Sequence, residues 1–356
     1  MGTTAEKLQK ILDTKNAIKQ SIINKGGNID DNTVFSEYAS AIESISSGGD
    51  TSQEDGLIEG TLTTYTNDRV TSIGQYAFSY SPLTSVSFTN VTSIGSYAFE
   101  YCSALTSIDF PLVTSISNYV FQRCNKLTSI DFPLVTSIGD YAFEYCSALT
   151  SIDFPLVTSI GSAAFSKCKA ITSVSLPLVT FINAYAFREC KALTSVDIPN
   201  ATSIGNYGFI VCSKLTSISF PNVESIGEQT FASCSALTSI DLPKLKEVGY
   251  NSFGNCSALT SAYFPLVTNI YNYAFEKCYS LTKLIIRTTS QVCALSSTNA
   301  FSSCYHILGT TNSTYNPQGL KDGYIYVPDE LVDSYKTATN WVTYADQIKG
   351  LSELGE

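Results

Sequence analysis

A length of 356 residues and a hydrophobic content of 44% are enough to build a sizeable core, and this composition excludes a disordered protein. The net charge of −10 comes without any cluster of Lys and Arg, which argues against nucleic acid and anionic membrane surfaces as partners. No stretch approaches the roughly 18 consecutive apolar residues that a membrane-spanning helix needs, so we expect no membrane insertion.

Residues 1–47 are predicted to form a small α-helical hairpin. Apolar side chains recur at helical spacing in two runs, one around Leu8 and Ile11 and the other around Phe35 and Ile42. Neither helix is long enough to be stable without a partner surface, so we interpret the hairpin as an anchoring module. The segment lacks the apolar core of a secretory signal, so export by the general route is not indicated unless a leader has been removed.

Residues 48–61 are predicted to be a flexible linker and the entry to the next region. The stretch from 46 to 56 reads SSGGDTSQEDG and contains no apolar side chain.

A periodic region follows, and we assign it to residues 62–304. Eleven units begin between Leu62 and Leu281, with a spacing of 21 residues once and 22 thereafter. A Phe recurs in the same register in ten units, and a Cys follows nearly every one of them after three residues. A repeat of this length predicts a stack of similar coils.

One unit, residues 127–146, reads LTSIDFPLVTSIGDYAFEYC. It predicts a first strand with Leu127, Ile130 and Phe132 pointing inward, a second short strand after Pro133, and a turn at Gly139. One unit cannot bury its apolar side chains alone, but stacked copies bury them in columns. The sequence therefore predicts a repeat solenoid.

This repeat closely resembles the BspA-type (Treponema-type) leucine-rich repeat. The resemblance implies a right-handed β-solenoid of about eleven 22-residue units. It also implies an adhesion or partner-binding role, as in surface proteins of bacteria and some protists. Residues 305–356 resemble the closing segment of many such proteins, which implies a C-terminal cap with a strand from Tyr324 to Val327 and a helix from about Asp329.

The N-terminal hairpin resembles a helical module of phage and prophage tail-associated proteins. That resemblance implies a tail or particle protein as the partner of the hairpin. A homo-oligomer formed through the same helices is the other partner that we consider.

Eleven cysteines are present, ten of them in one column from Cys102 to Cys304. The shortest gap between two of them is too long for a zinc site. Side chains on stacked coils point in parallel, which is poor geometry for a disulfide. We therefore expect reduced, buried thiols and neither a metal nor another cofactor.

Outward positions at the end of the first strand are the candidate ligand-binding residues. They are Asp109, Asp131, Asp153, Asp197, Asp241 and Tyr263. Neighbouring carboxylates about 5 Å apart would recruit a cation or a hydroxyl-rich or basic ligand. A retaining glycosidase also uses two carboxylates at that separation, but an open sheet face offers no water-excluding pocket. Plain solvation of the face is the other interpretation.

Two further features have simple alternatives. A tyrosine column, which includes Tyr76, Tyr97 and Tyr119, is either a recognition surface or a set of rings that stack on each other and shield the turn. His306 is the only histidine, which leaves no Ser-His-Asp or Cys-His arrangement elsewhere, and we expect it to be structural.

The sequence thus predicts a non-catalytic recognition or adhesion protein. Our main hypothesis is a phage or prophage tail-associated protein, located on the virion, whose solenoid binds a host-surface glycan or protein. The alternative is a bacterial cell-surface adhesin that binds proteins of a host or of neighbouring cells. A glycoside hydrolase is a distant third.

Overall fold

A computed structural model of the protein describes residues 63–67 and 69–355. The chain divides into two compact units, Met1–Leu149 and Thr150–Glu356, and the described part of each is a parallel β-solenoid with coils about 22 residues apart. The predicted helical hairpin (1–47) and linker (48–61) lie outside the described residues.

The described part of the first unit contains seven short strands. They are β1 (Thr64–Thr66), β2 (Ser72–Ile73), β3 (Ser85–Ser87), β4 (Ser93–Ile94), β5 (Ser107–Asp109), β6 (Ser115–Ile116) and β7 (Ser137–Ile138). The first strands of successive coils, β1, β3 and β5, pair in parallel. The second strands also pair in parallel, β2 with β4 and β6 with β7.

The second unit continues the same alternation of strands. Its strands are β8 (Ile152–Asp153), β9 (Ser159–Ile160), β10 (Ser173–Ser175), β11 (Phe181–Ile182), β12 (Ser195–Asp197), β13 (Ser203–Ile204), β14 (Ser225–Ile226), β15 (Ser239–Asp241), β16 (Glu247–Val248), β17 (Ser261–Phe264), β18 (Asn269–Ile270), β19 (Lys283–Ile286), β20 (Ala294–Leu295), β21 (Tyr324–Val327) and β22 (Ile348–Gly350). First strands form the parallel sheets β8-β10-β12 and β15-β17-β19-β21-β22.

Among the residues that the structure describes, helices are few and lie near the C-terminus of the second unit. They are the α-helices α1 (Tyr305–Leu308) and α2 (Val332–Thr337) and the 3₁₀ helices Thr298–Phe301, Asp329–Leu331, Trp341–Gln347 and Leu351–Glu353. The strand predicted at Tyr324 is confirmed, and the segment after it begins as a 3₁₀ helix before α2. Because β21 and β22 continue the parallel ladder, the described chain has about 13 turns where the repeat predicted eleven.

The C-terminal segment is fixed to the solenoid by buried polar contacts around Cys293. The Tyr335 hydroxyl accepts a hydrogen bond from the Cys293 N–H at 2.8 Å, and the Trp341 indole N–H donates to the Cys293 carbonyl at 2.6 Å. Both aromatic side chains are fully buried. Burial of two large rings whose polar atoms are paired stabilises this attachment.

Apolar side chains of the repeat form buried columns, as predicted. In the coil around β12, Leu193, Ile198, Phe187 and Cys190 are each 0% exposed. Phenylalanines of successive coils stack, for example Phe187 on Phe209 with ring centroids 5.2 Å apart. Each coil therefore completes the core of the coil next to it.

Hydrogen bonds between coils extend through the turns as well as the strands. The N–H groups of Tyr185 and Phe187 donate to carbonyls of the following coil, at Asn206 and Gly208. The intervening Ala186 N–H donates within the turn to Asn183. Each of these N–H groups thus has an acceptor, either in the next coil or within the turn itself. A tight non-helical turn can therefore pack against the core.

Threonines add a ladder of side-chain hydrogen bonds on the outside of the coils. The hydroxyl of Thr194 donates to the Thr172 carbonyl at 3.0 Å, and that of Thr260 donates to the Thr238 carbonyl at 3.0 Å. The recurring Thr at this position thus links successive coils.

All eleven cysteines of the chain lie in the described part, are buried, and are in no disulfide. The thiols of the column also donate hydrogen bonds that the sequence did not predict. The Cys190 thiol donates to the Phe165 carbonyl at 3.2 Å, and the Cys212 thiol donates to the Phe187 carbonyl at 3.2 Å. These column cysteines therefore fill the core and also bond to a carbonyl of the preceding coil, whereas Cys293, outside the column, donates to the Ala294 carbonyl.

Gly139, where the sequence predicted a turn, directly precedes the turn residues that begin at Asp140. Its φ is not positive; instead a Cβ there would lie 2.8 Å from the backbone nitrogen of Asn118 in the preceding coil. The left-handed positions of the turn are occupied by other residues, such as Tyr119 (φ 61°) and Arg123 (φ 62°). Glycine is needed at position 139 because the coils approach closely.

The Phe209→Ala variant should lose about 3–5 kcal/mol of unfolding free energy, because the removed ring leaves a cavity between two stacked neighbours. Phe209 is fully buried between Phe187 and Phe231. Urea denaturation followed by circular dichroism measures the loss. The control is Leu178→Ala, at a side chain that is 44% exposed, and an equal loss in both variants would contradict the stacked core.

The native thiols should not react with a thiol reagent at pH 8. Burial raises the pKa of Cys102, Cys190 and Cys234 to about 12, so the nucleophilic thiolate is absent. The same reaction in concentrated urea, where the thiols regain ordinary pKa values, should label all eleven cysteines. A group of fast-reacting thiols in the native protein would show that the cysteine column is open to solvent.

Candidate functional site

The predicted acidic residues of the first unit do not form a regular ladder. Asp109 is exposed at the end of β5 and accepts a hydrogen bond from the Ser87 hydroxyl at 3.1 Å. Asp131 is exposed but lies outside any strand. Residues 129–131 are not paired as a strand, so the first strand of the repeat is interrupted at this coil.

In the second unit, serines separate the predicted carboxylates. The parallel register places Asp153 beside Ser175 and Ser175 beside Asp197, and Asp197 pairs onward with Ser219. These side chains are exposed. In this register no two predicted carboxylates of the second unit occupy adjacent coils, so the arrangement lacks the close carboxylate pair of a retaining glycosidase.

The described residues also contain no group of three or more His, Cys, Asp or Glu side chains arranged to hold a metal ion.

Asp241 and Tyr263, the last two predicted site residues, are neighbours. Asp241 in β15 pairs with Tyr263 in β17, which pairs with Ile285 in β19. The register continues to Tyr326 in β21 and then to Lys349 in β22. These five residues form one row across the sheet β15-β17-β19-β21-β22, because residues in register on parallel strands point to the same face. Asp241 is exposed, Tyr263, Ile285 and Lys349 are half-buried, and Tyr326 is buried.

A second outward row lies two residues earlier on the same strands. It runs from Ser239 to Ser261, Lys283 and Tyr324. The rings of Tyr324 and Tyr326 meet edge to face with centroids 6.3 Å apart. The face therefore changes from serine and aspartate to aromatic and aliphatic side chains toward the C-terminus.

Three cations surround this apolar centre. The Arg287 guanidinium lies 5.8 Å from the ring centre of Tyr263, and the Lys349 ammonium lies 3.8 Å from that of Tyr324. Lys283 lies between them in the second row. We call this surface the aromatic-basic patch; its members are Tyr263, Ile285 and Tyr324 with Lys283, Arg287 and Lys349. The buried Tyr326 contacts Tyr324 and supports the patch.

Of the patch, the sequence analysis selected only Tyr263. A signal for the rest was present, because the strand pattern SID or SVS is replaced by SAYF (261–264), KLII (283–286) and YIYV (324–327). The replaced positions are the outward ones, where earlier coils have Ser and Asp. An alternating strand with large outward side chains indicates that its second face is also used for packing or binding.

Tyrosines of the first unit stack on each other along the turns, which confirms the shielding alternative. Centroids of consecutive rings are 4.7 Å apart for Tyr76 and Tyr97, 4.6 Å for Tyr97 and Tyr119, and 4.8 Å for Tyr119 and Tyr141, with nearly parallel planes. Inner rings of the stack have both faces covered by neighbours. They therefore present only edges and hydroxyls to solvent, and a sugar ring cannot stack on their faces.

A second column on the same turns places a guanidinium between two aromatic rings. Arg123 lies 5.0 Å from the ring centre of Tyr101 and 4.5 Å from that of Tyr145. Burial raises the pKa of the nearby Glu100 carboxyl to about 7, and the Arg123 charge offsets part of this rise. Cation–π attraction between Arg123 and the two tyrosines stabilises the edge of the turn. Partial burial of the Glu100 carboxyl opposes this, because burial disfavours its charged form.

His306 is structural, as expected. Its Nδ1 lies 2.6 Å from an oxygen of Asp322, and its Nε2 lies 3.0 Å from the Tyr315 carbonyl oxygen. The ring thus connects α1 to the loop that precedes β21.

Comparison with known proteins identifies the family of this repeat. The sequence profile of the BspA type leucine rich repeat region matches residues 71–194 and 180–308, which together are more than half of the chain. The chain belongs to the BspA-type leucine-rich repeat family. Proteins with BspA-type repeats are typically cell-surface proteins, and such repeat proteins are generally binding proteins and not enzymes.

Solved structures similar to this BspA-type protein include three bacterial leucine-rich repeat proteins. A leucine rich cell surface protein of Faecalibacterium prausnitzii A2-165 is 26% identical, with 68% of this chain and 86% of that chain covered and a TM-score of 0.41. A leucine-rich repeat protein of Bacteroides ovatus ATCC 8483 is 24% identical, with 81% of this chain and 91% of that chain covered and a TM-score of 0.41. A leucine-rich repeat protein of Eubacterium ventriosum ATCC 27560 is also 24% identical, with 75% of this chain and 82% of that chain covered and a TM-score of 0.46. A comparison with curated proteins found no significant match.

The family favours the cell-surface alternative over the phage-tail hypothesis, because proteins with BspA-type repeats are typically cell-surface proteins. The hairpin on which that hypothesis depends lies outside the described residues. In the part that the structure describes, no helix is both long and apolar enough to span a bilayer.

The Glu100→Gln variant should remove a pH dependence of stability between pH 5 and pH 8. The pKa of Glu100 rises from 4.5 in the unfolded chain to about 7 in the fold, so its contribution is fully present below pH 4.5 and is lost as pH rises through 7. Urea midpoints of both proteins at pH 5 and pH 8 measure the difference.

Glu224→Gln is the matched control: Lys246 lowers the pKa of Glu224 from 4.5, so this carboxyl stays ionised between pH 5 and pH 8 and the variant should keep the slope of the parent protein there. The contribution of Glu224 to stability is present above pH 4.5 and is lost as pH falls. If the Glu100→Gln variant keeps the slope of the parent protein, burial of this carboxyl has no effect on stability.

Proposed function

We propose that this protein is a bacterial cell-surface recognition protein that binds a protein on another cell through the outward face of the sheet β15-β17-β19-β21-β22. The observation that carries the proposal is the aromatic-basic patch. Tyr and Arg are the residue types that dominate binding energy at protein interfaces, and here they meet on a regular, parallel sheet. Family membership supports a surface location and a binding role.

Rigidity of the supporting frame favours recognition by this face. The backbones of β17, β19 and β21 are paired over three or four residues each, and their inward side chains are buried. Side chains on such a frame lose little conformational freedom on binding, which raises affinity. Recognition requires no catalytic group, and the patch contains no paired acid and base.

A protein partner suits the patch better than a glycan. The two rings of Tyr324 and Tyr326 contact each other, and the Lys349 ammonium lies over one of them, so the aromatic faces are partly occupied. Ile285 adds an aliphatic surface beside them. Apolar centres with a polar rim are typical of protein interfaces, whereas sugar sites need open ring faces and planar polar groups.

Fluorescently labelled full-length protein should bind saturably to epithelial or bacterial cells, and trypsin treatment of the cells should abolish binding. The Tyr263→Ser variant should bind at least tenfold more weakly because it loses a central aromatic contact. Flow cytometry across a concentration series measures both effects. The matched control is Tyr271→Ser, an exposed tyrosine outside the patch, which should bind like the parent protein.

Two results would contradict the proposal. Absence of saturable binding to every cell type would contradict the recognition role. Binding that resists trypsin but disappears after periodate oxidation of the cells would assign the partner to surface glycans.

A further inference from the structure

We infer that the aromatic-basic patch binds an extended acidic segment of the partner protein, in which carboxylates alternate with aromatic or aliphatic side chains. This inference rests on the proposed function and specifies the chemistry of the partner. The charges, the unpaired cations and the dimensions of the patch support it.

The patch concentrates positive charge on an otherwise acidic chain. The net charge of the protein is −10, yet Lys283, Arg287 and Lys349 lie on one face of one sheet. In the earlier coils of the second unit, the positions that correspond to Lys283 are Ser and those that correspond to Arg287 are Pro, so neither position has a cation there. A negative partner is therefore attracted to this face and repelled from its surroundings.

Two of the three cations are in no ion pair. Among the described residues, Lys283 and Arg287 are in no salt bridge, and Lys349 lies 4.0 Å from Glu353. Arg287 is exposed, with its guanidinium 5.8 Å from the Tyr263 ring centre. A partner carboxylate can therefore pair with Lys283 and Arg287 without first breaking an existing ion pair, which lowers the free-energy cost of binding.

Dimensions of the patch fit a short extended peptide. The row from Asp241 to Lys349 crosses five strands, which is about 19 Å at roughly 4.8 Å per strand. An extended chain covers that distance with about six residues. Alternate side chains of an extended segment point the same way, so apolar side chains on one edge would meet Tyr263 and Ile285 while carboxylates meet the cations.

The ends of the row also differ in charge. Asp241 lies at one end and Lys349 at the other, with Tyr263, Ile285 and Tyr326 between them. An acidic segment is therefore oriented with its most negative part toward β22. Such an orientation gives specificity beyond simple charge attraction.

The test uses the full-length protein and synthetic peptides in fluorescence polarisation. The first peptide alternates aspartate with tyrosine over about eight residues, the second replaces aspartate by lysine, and the third replaces tyrosine by serine. We expect the first peptide to bind at least tenfold more tightly than the other two. Its affinity should fall as salt is raised from 50 mM to about 500 mM, because screening weakens exposed charge pairs.

Variants locate the site. Combined Lys283→Glu and Arg287→Glu changes, and separately Tyr263→Ser, should each weaken binding of the first peptide at least tenfold. Lys214→Glu, at an exposed lysine outside the patch, is the matched control and should bind normally. Arg287→Gln removes one exposed charge without touching the core, so it tests the charge requirement even if the double variant fails to fold.

Three outcomes would overturn the inference. The first is equal binding of the acidic and basic peptides, or unchanged binding by Arg287→Gln. The second is tight binding of a sulfated hexasaccharide in place of the acidic peptide. The third is a dimer in sedimentation analysis that Tyr263→Ser disrupts, because the face would then bind a second copy of the chain.

Failure of the inference and failure of the proposed function are distinguishable. Trypsin-sensitive cell binding that Arg287→Gln leaves unchanged refutes the acidic segment and retains the recognition role. Peptide binding at the patch without any cell binding refutes the recognition role and retains the peptide site.

Discussion

Contact between successive coils is the interaction on which the whole structure depends. A single coil exposes both faces of its Phe, Leu and Cys side chains, and only the next coil covers them. Phe209, for example, is fully buried because Phe187 and Phe231 stack on its two faces. The same contact pairs the backbone, since N–H groups of the strands and of alternate turn residues donate to a neighbouring coil. Hydrophobic burial and hydrogen bonding therefore require the same 22-residue register, and neither is satisfied by one repeat alone.

Because the inward side chains and the backbone hold the coils together, the outward side chains of the first strands are not needed for the core. In most coils of the second unit they are Ser and Asp, which keep the surface solvated. Toward the C-terminus they become Tyr, Ile, Lys and Arg. That change occurs where β21 joins the sheet by pairing with β19 and β22. In the segment that follows, Tyr335 and Trp341 bond to the backbone of Cys293. The segment that closes the solenoid thus also contributes Tyr324 to the patch and Tyr326 beside it, so stability of the end and recognition share the same strands.

Much of the fold was predictable because the period of the sequence is also the period of the structure. Columns of Phe and Cys follow directly from register, and so does the stacking of Tyr76, Tyr97 and Tyr119. The candidate site was predictable only in part. Tyr263 and Asp241 stand one repeat apart and were selected together. Tyr326 was not, because it follows Tyr263 by 63 positions outside the periodic region, and no spacing rule relates the two.

The sequence by itself determined which side chains are buried, because a 22-residue repeat of apolar residues has no other way to remove them from water. It also determined the position of the cysteine column in the core. Only the tertiary structure decided the partner of β21, the close approach at Gly139 and the left-handed turn residues. Each of these depends on how near one coil lies to the next, a distance that packing sets and that no local pattern of residues encodes.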